Sequence, residues 1–305
     1  MSDPKYMCLD GNIVAWQDGK VHVSTVAFKF GISVFEGLRG YWNERHQQLY
    51  LFQLDAHMRR LNYSQRFMRF DEIIDAKHIV ERIKALIRAN EFREDVFTMI
   101  TVFINGPGGV VVSGPSGLAI TVEPHDRRSM FEMGCAAQVS SWQRVADAAM
   151  PLRVKCNANY QNARLAALQA RVDGYEAALL LNSQGKVAEG YAMCVFMIRN
   201  GVAVTPSITS DIVEGITRST VLDLLKESGL ETQERDVDRS EFAAAEEAFF
   251  CGTFWEITPI TSIDRLPVGT GEVGPVTRQL QARYRSIARG DTADHGEWRT
   301  SVYER

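Results

Sequence analysis

The chain has 305 residues, 45% of them hydrophobic and 24% charged, with a formal net charge of −4. That length predicts one large or two medium globular domains, and a mildly acidic chain without a basic run argues against a nucleic-acid partner. Its longest apolar stretches, such as EAALLLN at 176–182, are strand-length and too short to span a bilayer, and the first residues show no secretory leader.

Five scattered cysteines, with no CxxC pair and no His/Cys cluster, predict a reducing cytoplasm and no metal centre. In chain order, LDGNIVAWQDGKVHVST predicts two short strands around a turn at Asp18-Gly19. GISVFEGLRGYW and QQLYLFQLD continue with aromatic and β-branched runs. In DAHMRRLNYSQRFM, Asp55 is the expected N-cap of a helix carrying Met58, Leu61 and Met68. DEIIDAKHIVERIKALIRANEF is the stronger helix, with Ile73, Ile74, Ile79, Val80, Ile83, Leu86 and Ile87 on one stripe. DVFTMITVFING and GLAITVEP predict two buried strands.

The pattern changes at 123–134, a polar stretch with two arginines and no clear period. It is expected to link a smaller N-terminal α+β domain, 1–122, to a larger C-terminal one, 135–305. CAAQVSSWQR then reads as a strand and 160–173 as a helix. EAALLLNSQGKVAEG reads as a hairpin turning at Ser183-Gln184-Gly185, and YAMCVFMIRNGVAVTP as two strands around Asn200-Gly201. GITRSTVLDLLKESG is a helix closed by a glycine. A short helix and strands over RSEFAAAEEAFFCGTFWEITPITSID, and a last helix over VTRQLQARYRSIA, complete an α+β chain of two α/β domains, whose interface is where ligand sites favour.

Three features of the second half carry chemistry. Lys155 precedes a helix and is followed by Tyr160; Glu189 ends a hairpin strand; EGITR (214–218) and CGT (251–253) are turns of small residues. Each has an ordinary reading: a solvated loop lysine, a solvated glutamate, a helix cap, a strand-edge turn. Each also has a chemical one. The first N–H groups of a helix lack intrahelical partners and favour an anion, so Gly215, Ile216 and Thr217 could cradle a phosphate. A carboxylate in a cleft suits a protonated ring nitrogen, and a lysine suits a Schiff base. Pyridoxal phosphate (PLP) is the cofactor that needs all three.

The sequence resembles the fold-type IV PLP enzymes (aminotransferase class IV), and among them the branched-chain amino acid aminotransferases. The similarity is carried by FGISVFEGLRGYW, HMRRLNYSQRFMRF, VSSWQRVADAAMPLRVKCNANYQNARLAAL, GKVAEG, EGITRSTVLDL and FFCGTFWEITPITSIDRLPVGTGEVGPVT, in the family's order. The resemblance implies an active site at the domain interface and a ping-pong transamination. It implies Lys155 as the Schiff-base and proton-transfer residue, Glu189 at the pyridine nitrogen and Tyr160 at the phenolate oxygen. It implies a phosphate cup of Arg60, Ile216, Thr217, Gly252 and Thr253. Phe35 would line the substrate side, with Thr253 and Phe254, and Arg39 would stand behind it. Family members usually form homodimers.

The sequence departs from the branched-chain pattern where substrate is recognised. Phe30 and Met99 stand where those enzymes commonly carry a tyrosine and an arginine that help receive a distal carboxylate. Cys194 replaces the usual asparagine. Arg127 and Arg128, in a linker shorter than usual, are either solvated or a replacement carboxylate anchor. The resemblance thus implies a transaminase acting on a branched-chain or other hydrophobic amino acid, or an amine, with a 2-oxo acid. A D-amino acid or (R)-amine transaminase using a pyruvate-type acceptor, and a lyase of the aminodeoxychorismate type, are the alternatives.

Overall fold

The fold was read from a computed structural model, which describes residues 4–125 and 129–303. The chain divides into two units: Met1–Asp126 with Val154–Ala158 and Ser286–Arg305, and Arg127–Arg153 with Asn159–Arg285.

In the first unit, seven strands among the described residues form one mixed-length sheet, every pair antiparallel. The first hairpin, Tyr6–Leu9 with Asn12–Ala15, turns at Asp10-Gly11 and not at Asp18-Gly19. Both residues of the true turn are left-handed (φ 48° and 79°), which suits a two-residue hairpin. Gly19 serves a different need, since a Cβ there would lie 1.8 Å from the Met7 sulfur.

Strand Ser33–Asn43 is the longest of this sheet. Strand Val96–Ile104 pairs with it from Ser33↔Phe103 to Gly40↔Val96, and Ser116–Pro124 lies on the far side of Val96–Ile104. The period-two alternation sorts the two faces. Val96, Thr98, Ile100 and Val102 are buried in the core, whereas Phe97, Met99 and Thr101 are half-buried. Helices Leu54–Phe67 and Ala76–Ala89 cover the core face, the second through Ile79, Ile83, Leu86 and Ile87. Ile73 and Ile74 precede that helix, because Asp75 caps it by accepting from Lys77 N and His78 N. The cap of Leu54–Phe67 is Gln53, left-handed, and not Asp55, which sits in the first turn where a carboxylate favours the helix dipole.

The second unit carries a nine-stranded sheet among the described residues, with both parallel and antiparallel pairs. The two predicted hairpin turns form as expected. Asn182 Oδ1 accepts from Gln184 N and Lys186 N around Gly185, and Asn200 and Gly201 adopt φ of 52° and 72°. Val195, Met197, Phe250, Trp255 and Ile260 are among the residues of its core. Helix Ile216–Glu227 follows Gly215 and helix Tyr160–Val172 follows Asn159. No described helix is long and apolar enough to cross a membrane.

Candidate active site

Lys155 belongs to the first unit although both flanks of its five-residue segment belong to the second. Strand geometry explains why. Of the long strand, the neighbour Gln48–Phe52 pairs with Gly40–Asn43 alone, so the first half of the long strand keeps an open edge on that side. The Lys155 segment docks there: Phe35 N donates to Lys155 O at 2.9 Å, and Val34 bridges Cys156. Ser33 Oγ bonds Asn157 Oδ1 at 2.9 Å, and Lys155 N donates to Ser64 Oγ of helix Leu54–Phe67 at 3.3 Å. With its backbone so fixed, the Lys155 amine lies 4.7 Å from the centre of the Phe35 ring, within cation–π range.

The register puts Phe35, Gly37 and Arg39 on one face with Thr101, Met99 and Phe97. Arg39 is buried, 3.9 Å from Asp95 and 5.0 Å from the Tyr41 ring, so it is a structural cation of the sheet. Met99 is half-buried opposite Gly37, and Phe30 ends the short helix Val26–Phe30 at 47% exposure. Arg127 and Arg128 lie outside the described residues.

On the opposite face of the same strand, Glu36 is fully buried. Its Oε1 accepts from Arg60 Nε at 2.7 Å, and its Oε2 accepts from Arg60 Nη2 and from His57 Nδ1, both at 2.7 Å. The i, i+3 spacing brings His57 and Arg60 to one side of their helix. Burial alone would raise the Glu36 carboxyl, but the charge and hydrogen bonds of Arg60, with the His57 bond, bring it down to about 2. Burial lowers His57 below its usual value against the pull of Glu36, with Arg60 and Lys155 adding to the lowering. The imidazole is therefore neutral at pH 7 and gives its Nδ1 hydrogen to Glu36.

The second unit holds the remaining predicted residues. Glu189, on strand Val187–Gly190, is 4% exposed. Arg144 Nε donates to its Oε1 at 2.9 Å, and Val213 N donates to its Oε2 at 3.1 Å. Two residues beyond Val213, Gly215 opens helix Ile216–Glu227 and offers the first N–H groups no side-chain acceptor. Thr217 is buried in that first turn, and Arg218 is turned away to Pro206 O and Glu234. A Cβ on Gly215 would stand 2.7 Å from Cys194 Sγ, and that thiol also bonds Val213 O at 3.7 Å. Cys194 is paired across the ladder with Cys251, the residue before Gly252 and Thr253. Both thiols are buried, and burial pushes Cys251 well up. Gly252 ends strand Glu247–Gly252, Thr253 and Phe254 are half-buried after it, and Phe254 packs on the core of this unit. Tyr160 is the first residue of helix Tyr160–Val172.

The sequence reading did not single out Glu36, His57, Ser64 or Arg144. A glutamate in a strand facing a His-x-x-Arg helix was the available signal for the first two. None of the described residues forms a cluster able to hold a metal ion.

Residues 33–263 match the family described as amino-transferase class IV. The chain is similar to a probable branched-chain-amino-acid aminotransferase of Aquifex aeolicus, 38% identical over 299 residues that cover 97% of this chain and 96% of the relative. Among solved structures it is similar to the branched-chain amino acid aminotransferase of Thermobaculum terrenum in its PLP form, 40% identical with a TM-score of 0.93 and 100% of both chains covered. The branched-chain aminotransferase of Thermoproteus uzoniensis with norvaline is 37% identical, with a TM-score of 0.94 over 98% of this chain and 100% of that one.

Proposed function

Since the chain belongs to the class IV aminotransferases and is a PLP-dependent transaminase of fold type IV, we propose that it exchanges amino groups between branched-chain or other hydrophobic amino acids and a 2-oxo acid. The observation that carries the assignment of roles is the seat of Lys155. Its backbone is pinned to a strand and a helix, and its amine stands over an aromatic ring beside a half-buried, mainly apolar sheet face.

The residues fit PLP. Arg60 and the uncapped N–H groups of Ile216 and Thr217, with Gly252 and Thr253, suit a phosphate. Glu189 is a buried carboxylate already oriented by two donors, which suits a ring nitrogen. Tyr160 is assigned to the phenolate oxygen. Bound there, PLP supplies the electron sink that stabilises negative charge at the donor's Cα. Lys155 Nζ would be the atom that holds the cofactor covalently. With a donor bound, the Lys155 amine would take the proton from the donor's Cα as base and deliver it as acid to the cofactor carbon that receives the amino group, C4′. One site serves donor and acceptor alternately, so the kinetics are ping-pong.

Phe30, Phe35, Met99, Thr253 and Phe254 are proposed to meet the substrate side chain, with Arg127 and Arg128 of the linker as a replacement anchor for an acceptor's distal carboxylate. An apolar surface here favours an apolar side chain, since a buried carboxylate without a partner is costly. We further infer work in the cytoplasm as a homodimer. Phe28, Val110 and Val111, 69%, 63% and 89% exposed, support association through the first unit.

A donor and acceptor panel tests the substrate reading. L-leucine, L-valine and L-norvaline are expected to turn over with a 2-oxo acid. Turnover confined to D-alanine or (R)-1-phenylethylamine would refute it.

A further inference from the structure

Phe35 and Glu36 are consecutive residues on opposite faces of strand Ser33–Asn43. Phe35 fixes the Lys155 backbone through its N–H and stands under the Lys155 amine through its ring. Glu36 holds Arg60 through the Nε/Nη2 edge of the guanidinium, in a fork that fixes the plane as well as the position of the group. Glu36 cannot swing away, because it is fully buried and His57 Nδ1 binds its second oxygen. His57 is itself anchored by its backbone N–H on Gln53 O. One dipeptide therefore registers both the lysine that carries the amine and the arginine assigned to the phosphate.

We propose that Glu36 is a positioning residue for the cofactor's phosphate: by seizing one edge of Arg60 it aims the rest of the guanidinium at a phosphate monoester and sets it in register with Lys155. This rests on the reading of Arg60 as a phosphate ligand. A carboxylate so close also repels a phosphate, so orientation must outweigh that repulsion. A guanidinium loose on a helix samples many rotamers, whereas a forked one presents its donors with little further loss of entropy.

The test is PLP binding to the full-length apoprotein, followed by protein fluorescence and by the 31P resonance of the bound cofactor. Glu36→Gln is expected to weaken PLP binding about 10- to 100-fold, the span carried by charged hydrogen bonds and by supporting partners of a ligand. It should also shift the bound 31P resonance, which a merely structural role would leave in place. Arg60→Gln should weaken binding comparably, and Glu36→Gln should cost nothing further in the Arg60→Gln background. Glu36→Asp, which keeps the charge and is the milder change should Glu36→Gln not fold, should show a smaller loss that also vanishes in that background.

Unchanged or tighter PLP binding in Glu36→Gln, or losses that add in the double variant, would overturn the proposal while leaving Arg60 as a phosphate ligand. Unchanged binding in Arg60→Gln would overturn the reading of Arg60, and the proposal with it.

Discussion

Gly215 is the position where the fold of the second unit constrains the proposed phosphate cup most tightly. Its φ of −71° and ψ of 127° suit alanine, so Gly215→Ala probes space and not backbone strain. The new Cβ would lie 2.7 Å from Cys194 Sγ and 3.2 Å from Arg218 Cβ. Carbon-sized contacts are optimal at about 3.5–4.0 Å, so roughly 1 Å of movement is demanded. Cys194 is held in a ladder opposite Cys251, so the turn at 213–215 must give instead. That turn carries Val213 N, the second donor to Glu189.

Overpacking of this kind costs about 1–3 kcal/mol, and the stiffer unfolded chain returns about 0.4–1 kcal/mol. A net loss of roughly 1–2 kcal/mol is expected. Urea unfolding of the apoprotein should show a lower midpoint at unchanged slope. In the Cys194→Ala background the alanine has room, and a double-mutant cycle should return a coupling of about 1 kcal/mol or more. An unchanged midpoint in Gly215→Ala, or the same cost with and without the thiol, would refute the reasoning.

Three further outcomes are expected. Lys155→Ala should lower kcat at least about 100-fold and abolish the visible absorbance of the covalently held cofactor; retained turnover would remove the lysine from the chemistry. Met99→Arg should raise kcat/KM for 2-oxoglutarate about tenfold relative to pyruvate, as one charge-assisted bond allows, and an unchanged ratio in an acceptor panel would place the distal carboxylate elsewhere. Stability should fall from pH 7 to pH 3. Glu36 and Glu241, the latter held chiefly by the Arg235 hydrogen bond, both sit at about 2 against a usual 4.5. Their contribution is therefore complete above pH 4.5 and lost toward pH 2, at roughly 3 kcal/mol for the buried Glu36 and less for Glu241, whose arginine partners are screened by solvent. His57, neutral when folded, adds a loss in the same direction below its usual value of 6.5, because unfolding lets it bind a proton. Urea midpoints across this range should flatten in Glu241→Gln, and a profile rising toward acid would contradict both assignments.

Turns governed by local chemistry were legible in the sequence. Asn200-Gly201 and the Asn182–Gly185 turn follow from side chains that tolerate positive φ or bond their own backbone. Asp18-Gly19 misled because glycine answers two needs that composition cannot separate, a left-handed turn at Gly11 and a close approach at Gly19. The helix Leu54–Phe67 begins on a left-handed glutamine, which no capping preference predicts. Within the candidate site, Lys155 and Glu189 each had an ordinary reading alone and stood out when the needs of one cofactor joined them to the two small-residue turns. Glu36 and Arg144 did not stand out at all. A buried charge is the product of two elements distant in sequence, 24 residues for Glu36–Arg60 and 45 for Arg144–Glu189, and no local period marks it.

The tail has a consequence for biosynthesis. Strand Arg299–Ser301 closes the outer edge of the first sheet against Gln48–Phe52, and Arg88 donates from helix Ala76–Ala89 to Val302 O. The first unit thus draws on the beginning, the middle and the last twenty residues of the chain. A ribosome that has released only the N-terminal 126 residues has delivered neither the edge strand nor the segment bearing Lys155. Completion of this unit therefore waits on Ser286–Arg305, far beyond its first 126 residues, and a protease cut near residue 298 would act on the sheet that seats the lysine.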